Sequence, residues 1–329
     1  MAVRSGVAAS LAVSPEVTYG TYVAPTTAYP FTSESLVREN EFIRTAGLRS
    51  GRLSQSEALH VQTTHSAAGG FSLDFLTKGM GKLLNQLHGD TVTPVQQAAT
   101  TAYLQTHSIG LTDPYNKSLT VQVGRPDVGG TVRPFSYLGS KVQSAEFGLE
   151  RGGVLTSEWT LDARDEDTAT ALASPTYAAA SVPFTFQTGS IELDDVVLTD
   201  CVRSASISVG IPQETERYCI NSSALKSQPI QNGMTAVEAT LEVEFASLTQ
   251  HTAFVNSTRR KVELICTGAL IASTYYYKAD FTMASTVAVS SGPTVQGPDV
   301  LTQEVTLEAV DNAAAAPLVV GYTTTDTSL

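Results

Sequence analysis

The chain has 329 residues, of which 42% are hydrophobic and 16% are charged, with 32 Asp and Glu against 20 Lys and Arg. A hydrophobic content at the globular average excludes a disordered chain, and the formal net charge of −12 disfavours a surface that binds duplex nucleic acid. No apolar stretch approaches the roughly 18 to 20 residues that a membrane helix needs, so we expect no membrane span.

Most of the chain alternates between apolar and polar residues with a period of two, as half-buried β-strands require. Residues 1–33 come first and lack a clean period, which predicts an N-terminal arm. The alternation that follows predicts a mainly β fold, and its clearest examples are residues 118–123, 158–163, 204–209, 239–245 and 302–308.

Helical periodicity occurs in two places, each directly after a predicted strand. Residues 75–87 carry apolar residues three and four apart, and Gly89 is a typical C-terminal stop. Residues 246–256 show a weaker version of the same pattern. Between and after these elements, residues 90–115 have the composition of an insertion, residues 167–183 that of a linker, and residues 312–329 that of a C-terminal arm.

The order of these elements repeats within the chain. A strand, a polar loop, a strand, a helix and a late hairpin occur in the same order in both halves, with Arg38 matching Arg203 and Glu158 matching Glu304. We therefore predict two similar domains, residues 34–166 and 184–311. Antiparallel proteins are generally self-similar, so a single larger sandwich remains the alternative.

No pattern in the sequence indicates catalysis or metal binding. The five histidines share no metal-ligand spacing, the three cysteines form no CxxC pair, and neither a GxSxG nor a GxxxxGK[ST] motif occurs. We expect no enzyme activity, no cofactor and no metal site, and we predict that the cysteines are small core residues, namely Cys201, Cys219 and Cys266.

The densest basic segment is Arg259-Arg260-Lys261. In a net acidic chain such a run suits acidic surfaces on other copies of the same chain better than it suits phosphate. A solvated helix end is the alternative. Long Val- and Thr-rich strands also leave sheet edges that invite pairing, which favours self-assembly.

The layout of the chain resembles the major tail protein, the tail tube subunit, of long and non-contractile bacteriophage tails. The resemblance covers roughly residues 30–311. It rests on the Glu- and Arg-bearing strand at 34–39, the polar loop at 47–66, the GGFSLDF strand with its Leu-rich continuation at 69–88, and the hairpin at 141–162.

The resemblance implies two β-sandwich or barrel tail-tube folds in tandem, each with one short helix, which close laterally into a ring. Rings would stack into a tube that encloses the tape measure protein during assembly in the host cytoplasm and conducts DNA during ejection. Tail terminator and tail tip proteins would be further partners in the virion tail. A duplicated chain favours a ring of three chains with pseudo-sixfold symmetry, and six chains is the alternative.

In that family the early loop reaches the neighbouring ring, and flexible termini become ordered on polymerisation. The early loop therefore supplies Arg49, Arg52 and Glu57 as candidate contacts between rings, and the basic segment adds Arg259, Arg260 and Lys261 as candidates because of its charge.

A pore that passes a polyanion should repel it, so acidic strand faces are candidates for the lumen wall. These candidates are Glu238, Glu242, Glu244, Glu304 and Glu308. Ordinary solvent-facing positions are the alternative for each of them. At the level of the whole protein, the alternatives are a capsid decoration or tail terminator protein, and a receptor- or carbohydrate-binding β-sandwich.

Overall fold

The computed structural model describes residues 5–47, 50–51, 53–54, 56–220, 224–293, 295 and 297–329, and it is mainly β. The predicted fold class is confirmed at that level. In these ranges, neither helix has the length or the apolar composition to cross a bilayer.

The elements of the first half of the chain include one four-residue helix, α1 (Gly81–Leu84). The strands are β1 (Ser10–Pro15), β2 (Thr27–Tyr29), β3 (Ser33–Glu34), β4 (Val37–Arg44), β5 (His60–Asp74), β6 (Val95–Gln96), β7 (Tyr103–Ile109), β8 (Leu119–Pro126), β9 (Val132–Glu150), β10 (Leu155–Ala163) and β11 (Asp165–Asp167).

The rest of the chain contains the helix α2 (Thr249–Val255), and its first strand, of two residues, lies within the predicted linker. Its strands are β12 (Thr176–Tyr177), β13 (Gly189–Leu193), β14 (Val196–Val197), β15 (Val202–Gly210), β16 (Gln213–Glu214), β17 (Ile230–Gln231), β18 (Ala236–Glu244), β19 (Arg260–Ala272), β20 (Tyr275–Pro293), β21 (Thr302–Ala309) and β22 (Leu318–Thr324).

One antiparallel sheet of eight neighbouring strands runs through both halves. Its order is β4, β5, β10, β9, β15, β18, β21, β20. The centre of this sheet is the pairing of β9 with β15, where a strand of the first half meets a strand of the second. The two halves are therefore joined by backbone hydrogen bonds as well as by the chain itself.

The long strands β9 and β20, each of 19 residues, leave this sheet and continue into a second layer. The first part of β9 pairs with β8, which in turn pairs with β1. The first part of β20 pairs with β19 on one side and with β22 on the other. The two long strands thus occupy equivalent places in the two halves.

A β-bulge recurs at equivalent positions of the two hairpins. Gln143 is left out of the ladder between β9 and β10, and Val289 is left out of the ladder between β20 and β21. The next residues, Ser144 and Ser290, pair with Thr160 and Thr306. Because bulges are specific irregularities of a strand pair, their recurrence at the sequence spacing of the proposed repeat supports the internal duplication.

The space between the layers is filled by one hydrophobic cluster that both halves share. Phe75 lies at its centre, with the rings of Phe147, Phe281 and Tyr322 each 5.8 Å from its own. Phe147 of β9 also packs 4.8 Å from Phe281 of β20 and edge-on against Trp159. The two predicted domains therefore share one hydrophobic core.

The terminal segments are part of this fold in a single chain, contrary to the prediction that they order only on polymerisation. Ser10–Pro15 pairs with both β2 and β8, and Leu318–Thr324 pairs with β20 and with β7. Leu318, Val320 and Tyr322 are fully buried. The predicted insertion supplies β7, so the C-terminal strand links the insertion to the second half.

The first predicted helix is much shorter than its apolar pattern indicates. Residues before Gly81 are not helical, because Gly79 has a φ of +86° and its backbone is held from both sides. The Tyr29 hydroxyl donates to the Gly79 carbonyl, and the Gly79 N–H donates to Asp326. The apolar residues fill the core without continuing the helix.

The prediction for the cysteines is correct for one residue only. Cys266 is buried, and burial raises the pKa of its thiol to about 12. Cys201 and Cys219 are exposed, so they are not core residues.

A buried ion pair ties a loop of the second half to the first half. Lys226 and Asp162 are almost fully buried and in contact, and the Ala224 carbonyl of the same loop accepts a hydrogen bond from the His65 N–H. Burial raises the pKa of Asp162, while the Lys226 ammonium opposes that shift.

Lys226→Met should lower the free energy of unfolding by about 3 to 5 kcal/mol, because it leaves the Asp162 carboxylate buried without its cation. The double variant Lys226→Met/Asp162→Leu removes both charges and should recover most of the loss. Chemical denaturation measures both. Equal losses in the single and double variants would show that packing, rather than charge, holds this loop.

Two histidines 19 residues apart, one of them in β7, lie next to each other in the interior of the fold. His88 Nε2 lies 3.2 Å from His107 Nδ1, and both side chains are buried. Burial lowers the pKa of His88 to about 4 and that of His107 to about 3, with the Lys117 charge adding to both shifts.

The unfolded chain takes up protons on these histidines below about pH 6.5, whereas the folded chain does so only near pH 4 or lower. Stability should therefore fall as the pH drops from 6.5 towards 4. In the variant His88→Gln/His107→Leu, the part of this loss of stability that the two histidines cause should disappear. Thermal or urea unfolding at several pH values tests this, and identical pH slopes in both proteins would contradict it.

Candidate functional site

One face of the eight-stranded sheet is acidic along most of its width. Strand alternation places large apolar side chains such as Trp159 and Leu307 on the core side, and short polar or acidic side chains on the other. We define the acidic face by its nine carboxylates, namely Asp74, Glu146, Glu150, Glu158, Glu238, Glu242, Glu244, Glu304 and Glu308.

The five predicted acidic residues lie together on this face. Glu238 is opposite Glu308, and Glu242 is opposite Glu304, in the ladder between β18 and β21. Glu244 follows at the end of β18. Like charges directly opposite each other on neighbouring strands destabilise a sheet, so the arrangement is unfavourable for folding itself.

Four carboxylates of the first half complete the face, and the sequence analysis did not include them. Glu146 is opposite Glu158, and Glu146 is also opposite Ser208, which in turn pairs with Glu238. Glu150 lies four residues after Glu146 on β9 and pairs with Ser204, and Asp74 pairs with Thr156, two residues before Glu158. Their alternation with apolar residues was visible, but only the strand register shows that they continue the row of the second half.

The remaining paired positions of these rows are small and uncharged. From Ser144 to Glu150 of β9 and at the positions paired with these residues across the sheet, they carry Ser, Thr, Gly and Ala. The basic residue that reaches the acidic face is Arg203, which bonds to Glu244 at 3.0 Å at the end of the sheet. The face consequently has a strong excess of negative charge.

The acidic face is concave where the two halves meet. A concavity of about 570 Å³ lies over the β9 and β15 junction. It is lined by Glu146, Glu150, Glu158, Ser204, Ser206 and Thr240. The depression is local and is lined by carboxylates and small hydroxyl side chains.

Among the described residues, those predicted to contact a neighbouring ring do not form one site in the structure. Arg49 and Arg52 lie outside the described residues, and Glu57 begins a 3-10 turn before β5. Arg259 is exposed, but Lys261 bonds to Asp195 at 2.6 Å and Glu263 at 3.0 Å, which raises the pKa of its ammonium. Arg260 donates to Gln250. Two of the three basic side chains are thus engaged within the chain, and a contact between rings stays a prediction.

The geometry offers little support for the other functional classes. No group of three or more His, Cys, Asp or Glu in the described ranges is arranged to hold a metal ion. Trp159, the single tryptophan, is 1% exposed and belongs to the core, so it cannot serve as a surface platform for a sugar.

Removing one carboxylate from each of the two facing pairs between β18 and β21 should stabilise the fold. Glu238→Gln/Glu304→Gln should raise the free energy of unfolding by about 0.5 to 1 kcal/mol at low ionic strength, because it relieves two repulsive pairs. The gain should shrink in 1 M salt, where the screening length is about 3 Å.

Urea denaturation at low and high salt measures this effect. Glu214→Gln, at an exposed position opposite Ile230, is the matched control. A gain in the control as large as in the double variant would refute the pairwise explanation.

Comparison with known proteins agrees with this geometry. A search of curated proteins finds no match. A family model described as phage tail tube protein matches residues 6–309, which is most of the chain and includes every strand of the acidic sheet. The chain therefore belongs to the phage tail tube protein family, whose members are structural components of the virion tail.

Proposed function

We propose that this chain forms the hollow tube of a long, non-contractile phage tail, and that the acidic face lines its lumen. The observation that carries the proposal is the continuous acidic face on a sheet shared by both halves. The proposed tube encloses the tape measure protein during assembly in the host cytoplasm and conducts DNA during ejection. Tail terminator and tail tip proteins close its two ends.

The charge of the face suits passage of a polyanion. A cationic wall would hold DNA through release of the counterions condensed on its phosphates. A wall of carboxylates with Ser, Thr and Gly between them offers no such gain, and it repels phosphate at short range. DNA then moves through the lumen without binding to the wall. The requirement that DNA pass without binding then explains why the destabilising Glu pairs are retained.

We further propose a ring of three chains with pseudo-sixfold symmetry. The two 19-residue strands, the equivalent bulges and the repeated strand order support one chain filling two of six positions. A ring of six chains is the alternative outcome of the test.

Negative-stain electron microscopy of the concentrated protein tests the proposal. We expect hollow rings or stacked tubes, with sixfold features in end views and threefold symmetry at higher detail. A protein that stays monomeric even with the tail tip complex present as an initiator would count against the tube.

Reversing charge on the acidic face tests the lumen assignment. Glu238→Lys/Glu242→Lys should leave tube length unchanged and lower infectivity by at least about tenfold, because each new ammonium binds passing phosphates. Glu214→Lys/Asp299→Lys has the same charge change at exposed positions off the acidic face and should infect normally. Phage assembled with each variant would be compared by plaque titre and electron microscopy, and full infectivity of the first variant would place these residues elsewhere.

A further inference from the structure

A lysine and an aspartate from different halves of the chain meet in the interior. The side chain of Lys226 is 1% exposed, that of Asp162 is 8% exposed, and the Lys226 ammonium donates to Asp162 Oδ1. In every other ion pair of the described residues, at least one side chain is 29% exposed or more. This pair therefore holds an amine and a carboxyl group together where water is excluded.

We propose that Lys226 and Asp162 condense to a side-chain amide, an isopeptide bond that links the two halves of the chain covalently. A bond forms between Lys226 Nζ and Asp162 Cγ, and one C–O bond of the carboxyl group breaks. The hydroxyl leaves with one amine hydrogen as water, so the step needs no oxidant, reductant or second substrate. The ion pair described above is the reactant, and the unfolding experiment with Lys226→Met concerns the chain before this step.

The charge state of the pair permits this reaction. Transfer of one proton from the Lys226 ammonium to the Asp162 carboxylate gives a nucleophilic amine and a neutral carboxyl group. A low-dielectric interior disfavours both charges, so it favours this transfer relative to water. Burial raises the pKa of Asp162, the Lys226 ammonium opposes that shift, and the negative charges of Glu216 and Glu39 add to it.

The backbone that carries Asp162 is fixed on both sides. In β10, Asp162 pairs with Ala68 of β5 and with Lys141 of β9. A residue in the interior of a sheet cannot withdraw its side chain without breaking backbone hydrogen bonds. The carboxyl carbon is therefore held in place next to the amine.

The loop that carries Lys226, between β16 and β17, is anchored as well. The Ala224 carbonyl accepts a hydrogen bond from the His65 N–H of β5, and the Ser227 N–H donates to the Arg217 carbonyl at 2.8 Å. Condensation of an amine with a carboxylic acid is unfavourable in dilute solution. Well-oriented groups of one molecule react with effective molarities of roughly 10⁵ to 10⁸ M, which offsets that cost.

The Asp162 carboxyl group also has an acceptor that the fold does not satisfy. Oδ2 is buried and has no hydrogen-bond partner among the described residues. A buried acceptor without a partner destabilises the folded state. Condensation removes one of the two carboxyl oxygens and replaces two buried charges by a neutral amide. The product therefore fits this environment better than the reactants do.

A buried hydroxyl lies close to the same carboxyl group. The Tyr19 hydroxyl oxygen has no hydrogen-bond partner among the described residues, as is the case for Asp162 Oδ2. Burial, and next the Asp162 charge, raise the pKa of Tyr19 well above its usual value of 10.0. The hydroxyl consequently stays protonated, and it is a donor for the oxygen that the amide retains.

A second buried lysine beside Asp162 serves as an internal comparison. Lys141 is opposite Asp162 in the ladder between β9 and β10, but its ammonium donates to the carbonyls of Pro114 and Tyr115, at 3.0 and 2.7 Å. Burial lowers the pKa of Lys141 to about 8. Because its amine is held by these carbonyls and not by the carboxyl group, we expect Lys141 not to react.

A covalent link at this position gives the chain a constraint that its cysteines do not supply. Cys201, Cys219 and Cys266 are all free. A cross-link stabilises a fold chiefly by restricting the unfolded chain, and an amide does so independently of the redox conditions. The bond also keeps β10 of the first half attached to the second half when backbone pairs between them open.

Intact mass spectrometry of the purified, denatured full-length chain tests the proposal. We expect the main species to be lighter than its calculated mass by one water molecule. A protease digest should contain two peptides joined between Lys226 and Asp162. Lys226→Arg keeps the positive charge but should have its full mass, yield no joined peptides and migrate more slowly in denaturing gels. Lys141→Arg is the matched control and should keep both the water loss and the joined peptides.

The wild-type chain alone decides the proposal, so a variant that fails to fold does not leave it untested. A full calculated mass after prolonged storage of the folded protein would overturn it. The loss of water without joined peptides would indicate cyclisation of an aspartate onto its own backbone and would overturn it too. Joined peptides that persist in Lys226→Arg would show that another lysine reacts, which equally contradicts the assignment.

Discussion

The backbone pairing of β9 with β15 is the constraint on which the rest of the structure depends. It joins two four-stranded units into one sheet, so the core side chains of both halves face the same interior, where Phe147 and Phe281 meet. The same ladder aligns Glu146 with Ser208 and, through it, with Glu238. Because side chains alternate along every strand, a slip of one residue at this junction would turn the carboxylates into the core and the aromatic rings into solvent.

The sequence was sufficient for properties that depend on local alternation. The strand content, the core position of Trp159 and the common outward direction of Glu238 and Glu242 all follow from a period of two. It was insufficient wherever partners lie far apart in the chain. The pairing of β7 with β22 and the contact of His88 with His107 have no local pattern. The apolar residues after Phe75 have a helical spacing, but the backbone around Gly79 is fixed by Tyr29 and Asp326, which periodicity does not register.

The candidate site was half predictable for the same reason. Carboxylates of the second half stand in clean alternating segments and were identified. Glu158 of the first half stands in an equally clean segment, but only its pairing with Glu146 shows that the first-half carboxylates continue the same face. Whether these carboxylates form one face therefore depends on the register in which the strands pair, rather than on the sequence of any single strand. Its facing carboxylates oppose folding, and the shared hydrophobic core has to offset that repulsion.

The position of β22 has a consequence for how the chain is made. β7 is synthesised early, but one of its edges is covered only when Leu318–Thr324 has emerged from the ribosome. Until then a nascent chain carries an unpaired strand, and contacts so distant in sequence form slowly. Chains translated side by side on one messenger would expose that edge to each other, so a cell producing many copies at once needs either rapid completion of each chain or a chaperone that shields β7 in the interval.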